Sequence, residues 1–171
     1  MSGFVVGMQP GEVYTSDEHL ALGFAIGTKG TDSNGKEFVM TVVAASQNLV
    51  NGQVVGLIPG AGTAAYTATV LASASPVPGT GNMLAVVVCS VTASASAYIW
   101  VQVYGSCQIL VTDTTASNLP GHLLTPSSVP GSLRGGLATA SSFVDGLVLT
   151  ATGSTAALTA AFLSYPHLTA G

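Results

Sequence analysis

Charge is what this sequence has least of. Of its 171 residues only 6% are Asp, Glu, Lys or Arg, against roughly 25% in an ordinary soluble domain. Its three basic residues, Lys29, Lys36 and Arg134, cannot line a phosphate-contacting stripe. Nucleic-acid binding driven by counterion release is therefore not expected. Long apolar runs are missing too. The longest, Met83 to Cys89, falls far below the roughly 18 residues a membrane-spanning helix needs, so no membrane partner is expected. The start, Met1-Ser-Gly-Phe-Val-Val-Gly7, lacks the basic stretch of a secretory signal. Cysteine is scarce: Cys89 and Cys107 each sit in a strand-like segment, which favours two buried free thiols over a disulfide.

Motifs for chemistry are equally sparse. His19, His122 and His167 stand far apart, outside any metal-ligating spacing, and the cysteines form no Cys-x-x-Cys pair. No serine occupies a Gly-x-Ser-x-Gly elbow. Asp32-Ser-Asn-Gly35 begins like a calcium loop, but no acid follows at the closing position, so a turn is expected there. His122 with Asp113 is the one catalytic pairing worth naming, and such pairs are usually structural. The expectation is no enzyme, no metal and no cofactor.

What remains is a strand-rich chain with an uneven charge distribution. Five of the seven acids (Glu12, Asp17, Glu18, Asp32 and Glu37) and both lysines lie before Phe38, and no Asp, Glu, Lys, Arg or His occurs from Phe38 to Thr112. Surface charge normally opposes self-association, whereas interface cores are depleted of it. A long neutral stretch therefore points to a chain largely covered by partners or by copies of itself. The plainer alternative is a thermostable or secreted β domain coated with Ser and Thr.

Residues 1–18 mix Gly and Pro with isolated apolars and are expected to form an extended arm, with Phe4, Val5, Val6, Met8 and Tyr14 as its docking side chains. Leu20–Gly27 is predicted as a short strand, joined through Asn34-Gly35 to a second at Lys36–Ala45. Further strands are predicted before Pro59, over Ala64–Ser73, and over Met83–Val91, where the apolar run is continuous and so buried on both faces. Tyr98–Tyr104 has the densest β-propensity, with Ile99, Val101 and Val103 on one face and Tyr98, Trp100, Gln102 and Tyr104 on the other. Cys107–Thr112 is predicted as a separate strand after Gly105. Ser127–Thr139 is a Gly/Ser-rich stretch. Phe143–Thr150 turns at Asp145-Gly146, and Ala156–Leu163 closes the domain. Asn118-Leu-Pro-Gly-His-Leu-Leu-Thr-Pro126 loosely echoes Asn48-Leu-Val-Asn-Gly-Gln-Val-Val55 and its following Pro59, an internal repeat. The expected fold is all-β: a barrel, β-tulip or sandwich of nine or ten short strands with at most one helical turn. Residues 19–171 would form one domain, with two small lobes joined near 75–82 as the variant.

Two stretches carry a family resemblance. The first is Gly27-Thr-Lys-Gly-Thr-Asp-Ser-Asn-Gly-Lys-Glu-Phe-Val-Met40, followed by Asn48-Leu-Val-Asn-Gly-Gln-Val-Val55. The second is Trp100-Val-Gln-Val-Tyr-Gly-Ser-Cys-Gln-Ile-Leu-Val111, followed by Leu119-Pro-Gly-His-Leu-Leu-Thr-Pro126 and the closing Phe162-Leu-Ser-Tyr-Pro166. Together they resemble tailed-bacteriophage head decoration (cement) proteins, with His122 standing where those proteins carry an acid. The resemblance implies a homotrimer on the capsid exterior of the virion, assembled in the host cytoplasm, that clamps neighbouring major capsid protein subunits against internal DNA pressure. The arm residues Phe4, Val5, Val6, Met8 and Tyr14 would contact the capsid, by adding a strand to a capsid edge. Tyr98, Trp100 and Tyr104 become candidate subunit-interface residues. The alternative in another class is a carbohydrate-binding or adhesin module that uses the same three aromatics as a platform.

Overall fold

Strand propensity is concentrated around Tyr98, and one of the two longest strands starts there. The computed structural model describes residues 8–59, 66–71, 83–112, 118–135, 142–153 and 157–170. In chain order these form β1 (Val13–Tyr14), α1 (Ser16–Leu22), β2 (Lys29–Thr31), β3 (Glu37–Val43), β4 (Val54–Pro59) and β5 (Tyr66–Val70). They continue with β6 (Leu84–Val87), β7 (Tyr98–Val111), β8 (Leu124–Pro126), β9 (Leu133–Gly135), β10 (Ser142–Leu149) and β11 (Ala157–Ala170). The fold is all-β, as the sequence predicts.

The strands close into two rings that share β7. In the first, β3 pairs with β7, β7 with β6, β6 with β4 and β4 with β5, all antiparallel; β5 then returns to β3 in parallel through Val42–Thr67 and Val43–Ala68. In the second, β7 pairs with β11, β11 with β10, β10 with β8 and β8 with β9, again antiparallel. There β9 returns to β7 in parallel at Val111–Leu133. Each ring has the same connectivity, with its first and third strands parallel. β7 is the fifth strand of the first barrel and the first strand of the second.

The echo seen in the sequence falls at matching places in the two rings, just before the second strand of each. Val50–Gln53 and Leu119–His122 are both turns closed by an N–H···O bond of 3.2 Å, with Gly52 at φ 82° and Gly121 at φ 80°. A positive φ at the third turn residue is what a type II turn requires, and glycine supplies it without steric cost. The residue before each turn accepts the same kind of cross-ring bond: Ala93 N–H to Leu49 O and Gly153 N–H to Asn118 O, both 2.8 Å.

Each ring encloses its own core. Val39, Val55, Leu57, Val87, Ile99 and Val101 fill the first; Ile109, Leu124, Leu133, Val144, Leu149 and Leu163 fill the second. Strands between the cores serve both. Ala85 and Val87 of β6 face the first core while Leu84 and Val86 face the second, which is why that run is continuously apolar.

Several local expectations are corrected. Leu20–Gly27 is not a strand: Thr15 and Glu18 form a capping box, in which the Glu18 carboxylate accepts the Thr15 N–H at 2.8 Å, and α1 ends at Gly23 with φ 72°. A capping box satisfies the backbone donors that a helix start leaves bare, and here it outweighs the apolar spacing. The same helix puts Asp17 and Glu18 in its first turn. The hairpin turn is right, but its first strand is Lys29–Thr31, and the Asp32 carboxylate holds the N–H groups of Asn34 and Lys36 at 2.8 and 2.9 Å. Asp145-Gly146 is a bulge in β10, not a turn. The Ser/Gly-rich stretch after Pro126 contains β9. Residues 8–14 are not a free arm, since β1 pairs with β7 through Val13–Ile99 and Tyr14–Tyr98. The predicted lobe junction near 75–82 lies outside the described residues.

Gly105 does not separate two strands; it kinks one. At φ 97° it lets β7 pass from one barrel to the other, and Lys36 packs so close that a Cβ would come within 3.1 Å of its Cγ. The buried Gln102 spans the kink, donating its side-chain amide to the carbonyls of Tyr104 (3.0 Å) and Ser106 (2.9 Å). Replacing it by the similarly shaped Met would leave both interactions unmade. Gln102→Met is expected to lower the unfolding free energy by about 2 kcal/mol, seen as a lower urea midpoint at unchanged slope. An unchanged midpoint would show that the kink needs no clamp.

Candidate assembly surface

Met8 and Tyr14 lie on the outside of the first barrel, where with Phe24 they close a small third core over Phe38, Met40 and Trp100. Trp100 is 0% exposed. Phe24 meets it edge-on at 5.4 Å, and His19 of α1 stacks on Tyr98 at 4.0 Å and 12°. The alternation predicted along Tyr98–Tyr104 is correct, but the face it forms is sealed by the chain's own N-terminal segment. Trp100 and the coplanar aromatic platform are therefore unavailable to a partner, and Met8 and Tyr14 are spent within the chain. Phe4, Val5 and Val6 lie outside the described residues. The sequence signal missed was the recurrence of Met8, Tyr14 and Phe24, which are apolar residues too widely spaced for one element yet sufficient to cover a strand face.

Tyr104, at the other end of that stripe, does reach the surface. Beyond the Gly105 kink the same side of β7 continues as Ser106, Gln108 and Leu110, which pair across to Phe162, Ala160 and Leu158 of β11. Val148 of β10 lies opposite Phe162. Leu158, Phe162 and Val148 are 40–47% exposed. None of these outward positions carries a charge; the Gly52 turn packs against Leu158 at one end, and the rest of the face stays open among the described residues.

An aromatic cluster marks the rim of this face. Tyr104 lies 5.5 Å from Phe162 at 77° and 5.5 Å from Tyr165 at 33°. Tyr165 sits at φ 49°, a left-handed conformation that costs a non-glycine residue energy. Across from it, Gly146 lies so close that a Cβ would come within 2.6 Å of the Ser164 carbonyl. The strained backbone holds the Tyr165 ring outward, 44% exposed, where its hydroxyl donates to Glu37 Oε2 at 2.6 Å. That bond favours the neutral phenol, and its pKa is pushed up to about 12.

A second apolar exposure belongs to α1. Only His19 of this helix is buried, while Leu20 is 72% and Leu22 37% exposed.

The ionisable groups assemble no nucleophile and base among the described residues. His19 is buried with Nε2 lacking a hydrogen bond. His167 meets Asp145 at 3.6 Å on the exposed rim of β10 and β11, and Asp113 lies outside the described residues. No group of three His, Cys, Asp or Glu side chains converges among the described residues, and no described helix is long and apolar enough to cross a membrane. Both cysteines are free thiols. Burial raises the Cys89 pKa and pushes that of Cys107 up to about 12. No protein-family model matches the chain, and no curated protein matches it.

Two titrations check this chemistry. At pH 8 the native protein is expected to react with a neutral thiol reagent far more slowly than the urea-unfolded chain, because reactivity follows the thiolate; equal rates would contradict the burial of Cys89 and the partial burial of Cys107. Ultraviolet titration should show one of the five tyrosines ionising near pH 12, and Glu37→Gln should move it back toward 10. Because the folded-state value is the higher one, its stabilising contribution is present below about pH 10 and is lost as the pH rises through about 12.

Proposed function

We propose that this chain is a structural virion protein of a tailed phage, one that decorates the capsid exterior as a homotrimer and clamps neighbouring major capsid subunits. The observation that carries the reading is the open, uncharged apolar face of β7, β10 and β11. An apolar sheet face exposed on a chain that carries so little charge is a liability in a free monomer and an asset in an assembly. The resemblance to head decoration proteins adds the capsid as partner. Its motifs fall at the pivots of the fold: the Asp32–Gly35 turn, the Gly105 kink, the Gly121 turn and the Tyr165-Pro166 strain point. A sugar-binding module is not favoured, because it relied on Trp100.

The capsid-contacting part narrows to residues 1–7, with Phe4, Val5 and Val6 as the side chains that seat on a capsid edge. Removing residues 1–15 would be a poor test, since it strips Tyr14 from the third core and Thr15 from its cap. Removing residues 1–7 should leave the urea midpoint unchanged while abolishing cosedimentation with expanded empty heads. Cosedimentation that survives this truncation would overturn the arm's role, and an intact chain that never binds heads would overturn the capsid reading itself.

A further inference from the structure

β7 presents one continuous outward side, Tyr98 to Leu110, and the described residues seal only its first half. In the first barrel the outward residues of β3 and β7 (Phe38, Met40 and Trp100) lie beneath residues 8–24. By connectivity, β7 and β11 of the second barrel stand where β3 and β7 stand in the first. Of their outward residues, Leu158 touches the Gly52 turn and Phe162 touches Tyr104, yet they remain 40% and 41% exposed, and no described segment lies over them as residues 8–24 lie over the first barrel.

The segment that seals the first barrel has a second, unused side. In α1, His19 turns inward onto Tyr98, while Asp17, Leu20 and Ala21, spaced three and four apart, share the outward side. Leu20 is the most exposed large apolar side chain among the described residues. Glu18 is occupied by its cap, but among the described residues no hydrogen bond or ion pair engages Asp17. At the edge of the open face, Lys36 packs its methylenes on Gly105 and borders the groove beside Ser106 and Gln108. It too lacks an ion-pair partner among the described residues. A helix face with one apolar anchor and one acid thus complements a sheet face with an apolar centre and one cation at its rim.

We propose that α1 of a second copy of this chain covers the open face, with Leu20 and Ala21 seated on Leu158 and Phe162 and Asp17 paired with Lys36. Such a contact joins two different patches, so copies associate head to tail and a closing rotation gives a ring; three members follow from the homotrimer reading, on which this inference rests. The same segment then covers one barrel in cis and the equivalent barrel of its neighbour in trans.

Sedimentation velocity of the purified chain, without capsids, tests this. The wild type is expected to sediment with the mass of three chains, while Leu20→Asp and Phe162→Asp each sediment as monomers with unchanged circular dichroism. A one-to-one mixture of these two variants should stop at two chains, since only one good helix meets one good face. Should Phe162→Asp fold poorly, the charge pair decides. Lys36→Glu should weaken association at least about tenfold, and adding Asp17→Lys should restore it. A trimer that survives both Leu20→Asp and Phe162→Asp overturns this inference and leaves the assembly reading standing. A wild type that stays monomeric at all concentrations overturns both this inference and the homotrimer. A mixture of the two variants that remains monomeric shows the contact is not helix to face.

Discussion

Everything in this molecule turns on one strand passing from one barrel into the next. β7 must complete the first ring through Val101 and Gln102 and open the second through Ile109 and Val111. A straight strand cannot belong to two closed rings with separate axes, so it must bend between them. Gly105 makes the bend at a φ that a side chain would resist, and Gln102 satisfies carbonyls on both sides of it. A polar side chain with 1% exposure would ordinarily be a cost; here its amide is fully used as a donor.

That shared strand dictates where the apolar residues must be. Side chains of β7 at odd positions supply the first core up to Val103 and the second from Cys107 onward. Strands lying between the two cores have no solvent side, so β6 is apolar at every position. The even positions of β7 all face out on one side, and the described residues seal only half of them. The outer face of the second barrel is therefore a consequence of the duplicated connectivity. The fold makes two equivalent faces, and the described chain supplies one cover.

The parts of this arrangement that could be read in the sequence are those encoded locally. The Asp32–Gly35 turn, the doubly buried β6, the alternation along Tyr98–Tyr104 and the glycine turns of the repeat all follow from neighbours within a few residues. The helix was also locally encoded, in Thr15 and Glu18, but the apolar residues after it suggested a strand. Fates decided over long distances could not be read. Whether Gly105 ends a strand or bends it depends on β11 pairing with the far half, more than fifty residues later. Whether Trp100 faces solvent depends on Met8, Tyr14 and Phe24, which precede it by a similar or greater distance. The candidate site was missed for the same reason. Leu158, Phe162 and Tyr165 look like an ordinary closing strand until the register places them beside Tyr104.

The lopsided charge also acquires a structural cause. A sheet edge with unpaired backbone groups invites pairing with other chains, and charged side chains are a common guard against it. Closing both rings removes the edges of nine strands here, and the described strands left outside the rings are β1 and β2. Glu12 and Asp17 flank β1, while Lys29, Asp32, Lys36 and Glu37 surround β2 and its turn. The charges stand where an edge remains, and the neutral stretch from Phe38 to Thr112 belongs to strands whose edges are already taken. A chain this poor in charge therefore avoids indiscriminate edge pairing through its topology, and that leaves side-chain faces as its means of association. Contacts through faces are selective because their shape and register are fixed by the strands beneath them. Low charge, which looks in the sequence like a surrender of solubility, becomes compatible with ordered assembly once the barrels close.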